Sequence, residues 1–93
     1  MLTQKAMDDL LAIGRYTRRQ WGKAQQIRYL TQLDSAFHDL ADKPDLGRAC
    51  DHIREGYFKY GVGKHVIFYR RTGKGRIEIV RILHGCMDIE QHL

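Results

Sequence analysis

Two histidines at the ends of neighbouring strand-like segments are the first candidates for chemistry. His65 begins an apolar run that continues to residue 71, and His84 follows a second run that ends at Leu83. An antiparallel hairpin brings the start of its first strand beside the end of its second. We therefore expect the two imidazole rings to lie close together.

Ribonuclease chemistry is one use for such a pair. Cleavage of RNA needs a base for the 2′-hydroxyl, an acid for the leaving oxygen and cations for the phosphate charge. The residues that could titrate are Glu55, His65 and His84, and those that could stabilise charge are Arg54, Arg70 and Arg81. The alternative is that both histidines are ordinary polar residues at strand ends, and spacing alone leaves both interpretations open.

Other chemistry is poorly supported by the residue spacing. The five histidines contain no HxxxH pair, and Cys50 and Cys86 lie too far apart for a CxxC motif, so we expect reduced thiols, no metal site and no cofactor. The segment 61–64, Gly-Val-Gly-Lys, superficially resembles a phosphate-binding loop. It links two strands rather than a strand and a helix, so we interpret it as a hairpin turn.

Positive charge is concentrated in one segment. The chain has 93 residues and a formal net charge of +5, and the segment 59–81 contains seven Lys and Arg residues against Glu78 alone. One interpretation is a surface for phosphates or for an acidic protein. The other is that edge strands and turns are charged to prevent aggregation.

The first half of the chain has helical periodicity. Apolar or small residues recur at three- and four-residue steps, which predicts helices over about 4–21 and 23–42. The stripes are Ala6, Leu10, Ile13 and Thr17 in the first, and Ile27, Leu30, Leu33, Phe37 and Leu40 in the second. Thr3 is a suitable N-cap, and the short link at Trp21-Gly22 predicts an antiparallel helical hairpin. A loop over 43–48 follows.

The second half predicts strands over about 55–60, 65–71 and 76–83, followed by a short tail, 84–93. Glycine-bearing links favour antiparallel hairpins, and the middle run is apolar on both faces, which is typical of a central strand. The fold class is therefore α+β in one domain, 1–93, with the helical hairpin on a three- to four-stranded antiparallel sheet. A chain this short buries a limited share of its surface, so we expect the second sheet face to stay uncovered for a partner.

Several protein classes are excluded. No apolar stretch is long enough to span a membrane, and acidic residues occupy the N-terminal positions where the apolar core of a signal peptide would lie. We therefore expect a cytosolic protein.

The order of these elements resembles the ParE toxins of ParDE toxin–antitoxin systems, within the RelE/ParE superfamily. The most specific matching segments are Trp21-Gly22 at the helix junction, Gly47-Arg48 after the proline, the HVIFYR run from His65, and the ending VRILH…MD over 80–88. The resemblance covers nearly the whole chain. Members of the family usually carry further residues before the Leu-Thr that opens the first helix, so we expect the first strand to be short or missing.

The resemblance implies a function. ParE toxins are non-enzymatic poisons of DNA gyrase that trap its cleaved-DNA complex, with GyrA as the expected contact. They form hetero-oligomers with a ParD antitoxin, and they meet nucleic acid only indirectly, through gyrase or the antitoxin. The resemblance implies Arg81, His84, Met87 and Asp88 as candidates for toxicity. For antitoxin contact we expect the helical surface with Leu11, the exposed side chains Tyr57, Phe58 and Tyr69, and the cations Arg70 and Arg71. The alternative function is that of a RelE-type, ribosome-dependent mRNA endonuclease.

Overall fold

Two helices pack against one face of a four-stranded antiparallel sheet. The computed structural model describes residues 1–73, 75–85 and 93. Its elements are α1 (Gln4–Trp21), α2 (Lys23–Asp42), a 3-10 turn (Pro44–Leu46), β1 (Arg48–Ala49), β2 (Tyr57–Val62), β3 (His65–Arg71) and β4 (Ile77–His84). The predicted α+β class, with a helical hairpin on an antiparallel sheet, is confirmed. Within the described residues, neither helix is apolar enough over a sufficient length to cross a membrane.

Local side chains account for the ends of the helices. The Thr3 hydroxyl accepts a hydrogen bond from the Ala6 N–H at 3.1 Å, which is the expected N-cap of α1. Gly22, with a φ of 91°, donates its N–H to the Arg18 carbonyl at 2.9 Å and accepts from the Gln26 N–H at 3.1 Å. One residue therefore ends α1 and begins α2, because glycine adopts positive φ without steric cost.

The strands follow one another across the sheet in the order β1-β2-β3-β4, so β3 is central as its apolar sequence predicts. Tyr69 lies opposite Ile79 while Phe68 lies opposite Arg81, so β4 has one extra residue at Val80 and the register shifts there.

Four sequence-based boundaries were wrong. Residues 55 and 56 lie in a turn before β2, and the 61–64 turn is shortened because β2 continues through Val62. The 43–48 loop contains the 3-10 turn and starts β1, and the last strand, predicted over 76–83, spans Ile77–His84 and so includes His84 from the predicted tail.

A stub of the first strand is present at the outer edge of β4. Leu2 forms a parallel bridge with Ile79, in which the Thr3 N–H donates to the Ile79 carbonyl at 3.0 Å and the Ile79 N–H donates to the Met1 carbonyl at 2.8 Å. Val80, the extra residue in β4, comes directly after Ile79, and its carbonyl accepts a hydrogen bond from the Thr3 hydroxyl at 2.8 Å. The N-terminus is thus anchored to the sheet even though it supplies only one bridge.

Most of the core lies between the helices and the sheet. Buried aliphatic residues of both helices meet Ile67, Ile79 and Ile82 there. Ile27 is an exception, because its spacing predicted a buried position whereas more than half of the side chain is exposed.

The second face of the sheet is covered in part, so the expectation that it stays open is wrong for its centre. Phe68 and Leu83 are buried there together with Cys50. The loop residue Ile53 and the chain's last residue, Leu93, pack against them. A short loop therefore supplies a second, smaller core.

Candidate functional site

The two candidate histidines meet, as the hairpin geometry predicts. His65 and His84 are directly opposite in the β3–β4 register, and their rings contact edge to face with centroids 5.4 Å apart. Tyr29 of α2 completes the cluster, because its hydroxyl lies 2.6 Å from His65 Nδ1 and 3.2 Å from the Val62 carbonyl oxygen. We call His65, His84 and Tyr29 the histidine cluster.

The surroundings of His65 favour its neutral form. Burial lowers the pKa of His65 below its ordinary value, and the neighbouring His84 lowers it further, while Asp9 acts in the opposite direction. Burial raises the pKa of the Tyr29 hydroxyl. A neutral imidazole hydrogen-bonded to a neutral phenol can accept or relay a proton, so the cluster has the chemistry of a weak base.

A glycine allows this cluster to form. Gly63, in the turn after β2, has a φ of 56°, and a Cβ there would lie 2.8 Å from the ring of Tyr29. Only glycine fits a position that combines positive φ with this close approach.

Arg81 is held by α1 rather than presented to solvent. Its Nε donates to Asp9 Oδ2 at 2.8 Å and its Nη2 to Asp9 Oδ1 at 2.9 Å, and both side chains are 16% exposed. The Ile82 N–H also donates to Asp9 Oδ2, at 3.0 Å. The hydrogen bond to Asp9 raises the pKa of the Arg81 guanidinium. This bidentate pair joins the start of α1 to the middle of β4.

The other residues expected for RNA cleavage lie away from the histidine cluster. Arg70 is five positions along β3 from His65, about 17 Å at strand spacing, and it pairs with Glu78 at 2.9 Å. Glu55 and Arg54 precede β2 at that same distant end, where Arg54 covers the ring of Tyr57 at 5.7 Å. Within the described residues, His65 and His84 are therefore separated from Glu55, Arg54 and Arg70.

The expected antitoxin residues of β2 and β3 form a layered contact. Phe58 stacks on Tyr69 with ring centroids 5.5 Å apart, and the Arg71 guanidinium lies 5.6 Å from the centroid of the Phe58 ring. Arg71 also forms an ion pair with Asp45 of the 3-10 turn. Phe58 is half-buried, and so is Tyr57, which packs against the second core.

Tyr69 was expected to be exposed, and this is wrong, since it has no exposed surface. Its hydroxyl donates to the Pro44 carbonyl at 2.6 Å and accepts from the Gly47 N–H at 2.9 Å. A Cβ at position 47 would lie 2.2 Å from that hydroxyl, so glycine is required there. Tyr69 therefore ties the loop after α2 to the central strand.

The outward side of the helical hairpin carries exposed apolar groups. Leu11 is 55% exposed, and Met7, one turn earlier on the same side of α1, is also exposed. Ile27 of α2 is exposed to the same extent as Leu11. Contiguous exposed apolar groups, rather than single side chains, mark surfaces that bind a partner, and Leu11 and Met7 are neighbours on α1.

Sequence reasoning missed three residues that position the candidates: Tyr29, Asp9 and Asp45. Asp9 and Asp45 are far along the chain from the arginines they bind. Tyr29 lies among the apolar positions of α2, between Ile27 and Leu30, and that placement is the one sequence signal that could have identified it.

Met87 and Asp88, two of the four toxicity candidates, lie outside the described residues. Among those described, no three His, Cys, Asp or Glu side chains come together in a way that could hold a metal ion.

Comparison with known proteins gives consistent results. Residues 1–89 match the family described as the ParE toxin of the type II toxin–antitoxin system parDE. The chain is 43% identical over 93 residues to Toxin ParE1 of Mycobacterium tuberculosis, covering all of this chain and 95% of that protein. It is 36% identical to Toxin ParE1 of Caulobacter vibrioides, covering 99% and 94% of the two chains.

A solved structure shares the fold. It is a chain of the chromosomal ParDE system from P. aeruginosa, with a TM-score of 0.77 and 21% identity, and the match covers 89% of this chain and 90% of that one.

Proposed function

Since this chain belongs to the ParE toxin family of type II toxin–antitoxin systems, we propose that it inhibits DNA gyrase in the cytoplasm and is neutralised by a ParD-like antitoxin. Inhibition would consist of stabilising the cleaved-DNA complex, with GyrA as the contacted subunit, and would block replication. The observation that carries the proposal is the 43% identity to a ParE1 toxin over the whole chain.

The geometry supports action by binding. RNA cleavage would require the base, the acid and the phosphate-binding cations at one place. Here Arg81 is engaged with Asp9, and Arg70 is engaged with Glu78 at the far end of β3. We therefore propose a non-enzymatic toxin that needs no cofactor.

For toxicity we propose the end of β4 and the segment that follows it, with Arg81, His84, Met87 and Asp88 as the residues to test. Arg81 would act as a positioning residue, because its ion pair with Asp9 sets where β4 lies relative to α1. His84 is half-buried at the strand end and contacts His65. This contact would hold the end of β4 against the start of β3.

For the antitoxin we propose two surfaces. The first is the outward side of the hairpin around Leu11, where exposed aliphatic groups suit an amphipathic helix. The second lies where β2 begins and β3 ends, with Phe58 and Arg71 on the helix-facing side of the sheet and Tyr57 and Arg70 on the opposite side. Tyr69 would support this second surface from beneath through its stacking on Phe58. Binding at both would give a hetero-oligomer.

The test is a gyrase assay with the purified chain. We expect inhibition of supercoiling and an increase in gyrase-dependent DNA cleavage, both reversed by the antitoxin. His84→Ala should weaken inhibition. His38→Ala, which removes an exposed histidine of α2, should leave inhibition unchanged. Normal supercoiling at a large molar excess of folded protein would refute gyrase inhibition.

One observation favours the RelE-type alternative, namely the contact of His65 with His84 beside a tyrosine hydroxyl. Primer extension on translated mRNA distinguishes the two functions. Codon-positioned cuts that disappear in His84→Ala would support the endonuclease, and an unchanged transcript profile during growth arrest would reject it.

A further inference from the structure

The strongest unassigned feature is a one-sign electrostatic patch at the tip of the helical hairpin. Between Leu10 and Leu33 the chain has five cations and no acidic residue. We define the hairpin-tip patch as these cations with two neighbouring aromatic residues: Arg15, Arg18, Arg19, Lys23 and Arg28, with Tyr16 and Trp21. At 1.5 Å per residue, all of them lie within about 11 Å of the Gly22 turn along the helix axes.

The tertiary structure makes this patch more prominent than the 59–81 segment. In that segment Arg70, Arg71 and Arg81 are paired with Glu78, Asp45 and Asp9 respectively. The cations of the hairpin-tip patch are all exposed, and none forms an ion pair within the described part of the chain. Among the described residues, the hairpin-tip patch therefore keeps five exposed cations with no ion-pair partner, whereas the 59–81 segment has three of its cations paired.

Helix stability does not account for the patch. Arg18 and Arg19 lie in the last turn of α1, where cations complement the helix dipole. Lys23, however, begins α2, at the positive end of that helix's dipole, and the first turn of α2 has no acidic residue. Arg15 and Arg19 are one turn apart and repel each other. Local stability therefore accounts for Arg18 and Arg19 but not for Lys23 or for the Arg15–Arg19 repulsion, which points to a role in binding.

The aromatic residues indicate the chemistry of the partner. Trp21 is 67% exposed and Tyr16 is 57% exposed, so two flat rings are presented among guanidinium groups. Four of the five cations are arginines, which bind phosphate oxygens through two donors at once. Exposed aromatic rings beside such cations are typical of surfaces that bind nucleic acid, where rings pack on sugars or bases. Trp, Tyr and Arg also occur at protein interfaces, so an acidic protein is the alternative partner that the test below distinguishes.

We propose that the hairpin-tip patch binds DNA directly, with the cations on phosphates and Trp21 against a sugar or base. This departs from the expectation that the protein meets nucleic acid only through gyrase or the antitoxin. DNA carries one negative charge for about every 1.7 Å of duplex, so five cations around a tip of this size can each reach a phosphate.

The test measures binding of the purified chain to a labelled duplex of about 30 base pairs, without gyrase or antitoxin. Its result is therefore separate from that of the gyrase assay. If all five cations contact phosphates, the logarithm of the association constant should fall with the logarithm of salt concentration with a slope of about −4.5. Trp21 is the chain's only tryptophan. Its fluorescence should change on binding, which reports on the tip itself.

Charge-matched variants separate the patch from net charge. Arg18→Gln/Arg19→Gln and Lys5→Gln/Lys43→Gln remove the same charge, but the second pair lies about 25 Å away, at the other end of the hairpin. The first variant should flatten the slope by about 2, and the second should change it little. Trp21→Ala should weaken binding about tenfold, with Trp21→Phe restoring most of it.

Three results would overturn the proposal. The first is no binding of the chain to the duplex or to its single strand at about 50 mM salt. The second is an equal loss of DNA affinity in the two charge-matched variants. The third is an affinity for poly-glutamate of the same charge that equals the affinity for DNA. The last would assign the patch to an acidic protein. Because every substituted side chain is exposed, circular dichroism should show the native fold in each variant.

Discussion

The ion pair between α1 and β4 can be tested by removing its carboxylate. In Asp9→Ala, the Arg81 guanidinium and the Ile82 N–H both lose the Asp9 carboxylate as an acceptor. The Arg81 and Asp9 side chains are each only 16% exposed. Hydrogen bonds to charged groups contribute about 1.5–3 kcal/mol, and breaking a fully buried pair costs about 3–5 kcal/mol. Partial exposure reduces these values, so we expect a loss of about 2–4 kcal/mol in the free energy of unfolding.

Asp8→Ala is the matched control. Asp8 is exposed, and its side chain accepts a hydrogen bond from the Gln4 side chain at 2.9 Å. This control should cost less than about 0.5 kcal/mol, the usual range for surface changes. Urea unfolding followed by circular dichroism gives both values. At about 1–2 kcal/mol per molar of urea, Asp9→Ala should lower the unfolding midpoint by about 1–4 M.

A double-mutant cycle with Arg81→Ala tests whether the two residues act on each other. The coupling energy should exceed about 1 kcal/mol, because both single changes remove the same bidentate ion pair. The reasoning is refuted if Asp9→Ala and Asp8→Ala are equally stable, or if the coupling is within error of zero. In that case the geometry of β4 would not depend on α1, and the positioning role of Arg81 would be withdrawn.

Three further predictions concern pH, packing and binding. Because burial lowers the pKa of His65 in the folded chain, the stability that this residue contributes is present above its unfolded value of about 6.5 and is lost as pH falls through the folded pKa. Urea unfolding at pH 7.5 and 5.5 should therefore show a smaller loss in His65→Gln than in the unsubstituted chain. Gly47→Ala should lower the free energy of unfolding by about 2 kcal/mol or more, because the added Cβ would meet the Tyr69 hydroxyl. Gly61→Ala is the control, since its Cβ would meet no atom within 4 Å, and thermal unfolding should show almost no change in its stability. Leu11→Glu should weaken antitoxin binding at least about tenfold in calorimetry without changing stability, because the side chain is 55% exposed; unchanged affinity would remove Leu11 from the interface.

Much of the fold follows from local patterns. Thr3 caps the start of α1, and Gly22 forms the junction between α1 and α2. Both features depend on one or two residues, because a cap needs one side chain and positive φ needs one glycine. The central position of β3 follows from apolar side chains on both of its faces, and the meeting of His65 with His84 follows from antiparallel pairing. These features need no knowledge of distant residues, which is why the sequence predicts them.

Other features depend on contacts between distant segments. Alternation along β3 shows that Tyr69 and Phe68 point to opposite faces, but not that the loop after α2 buries the first and the segment around Cys50 buries the second. The exposure of Ile27 is similar, since its spacing fits the apolar stripe of α2 but the side chain lies outside the core in the folded chain.

The same division applies to the charge. The sequence alone determined that the chain is basic, that it is built as a helical hairpin on an antiparallel sheet, and that it resembles ParE toxins throughout. Only the tertiary structure decided where the positive charge is available. Folding brings acids from α1 and the 3-10 turn onto Arg81 and Arg71, and it leaves the hairpin tip without any acidic partner among the described residues. Charge density along a chain is a one-dimensional quantity, whereas the field that a partner meets depends on which opposite charges folding places within a few ångströms.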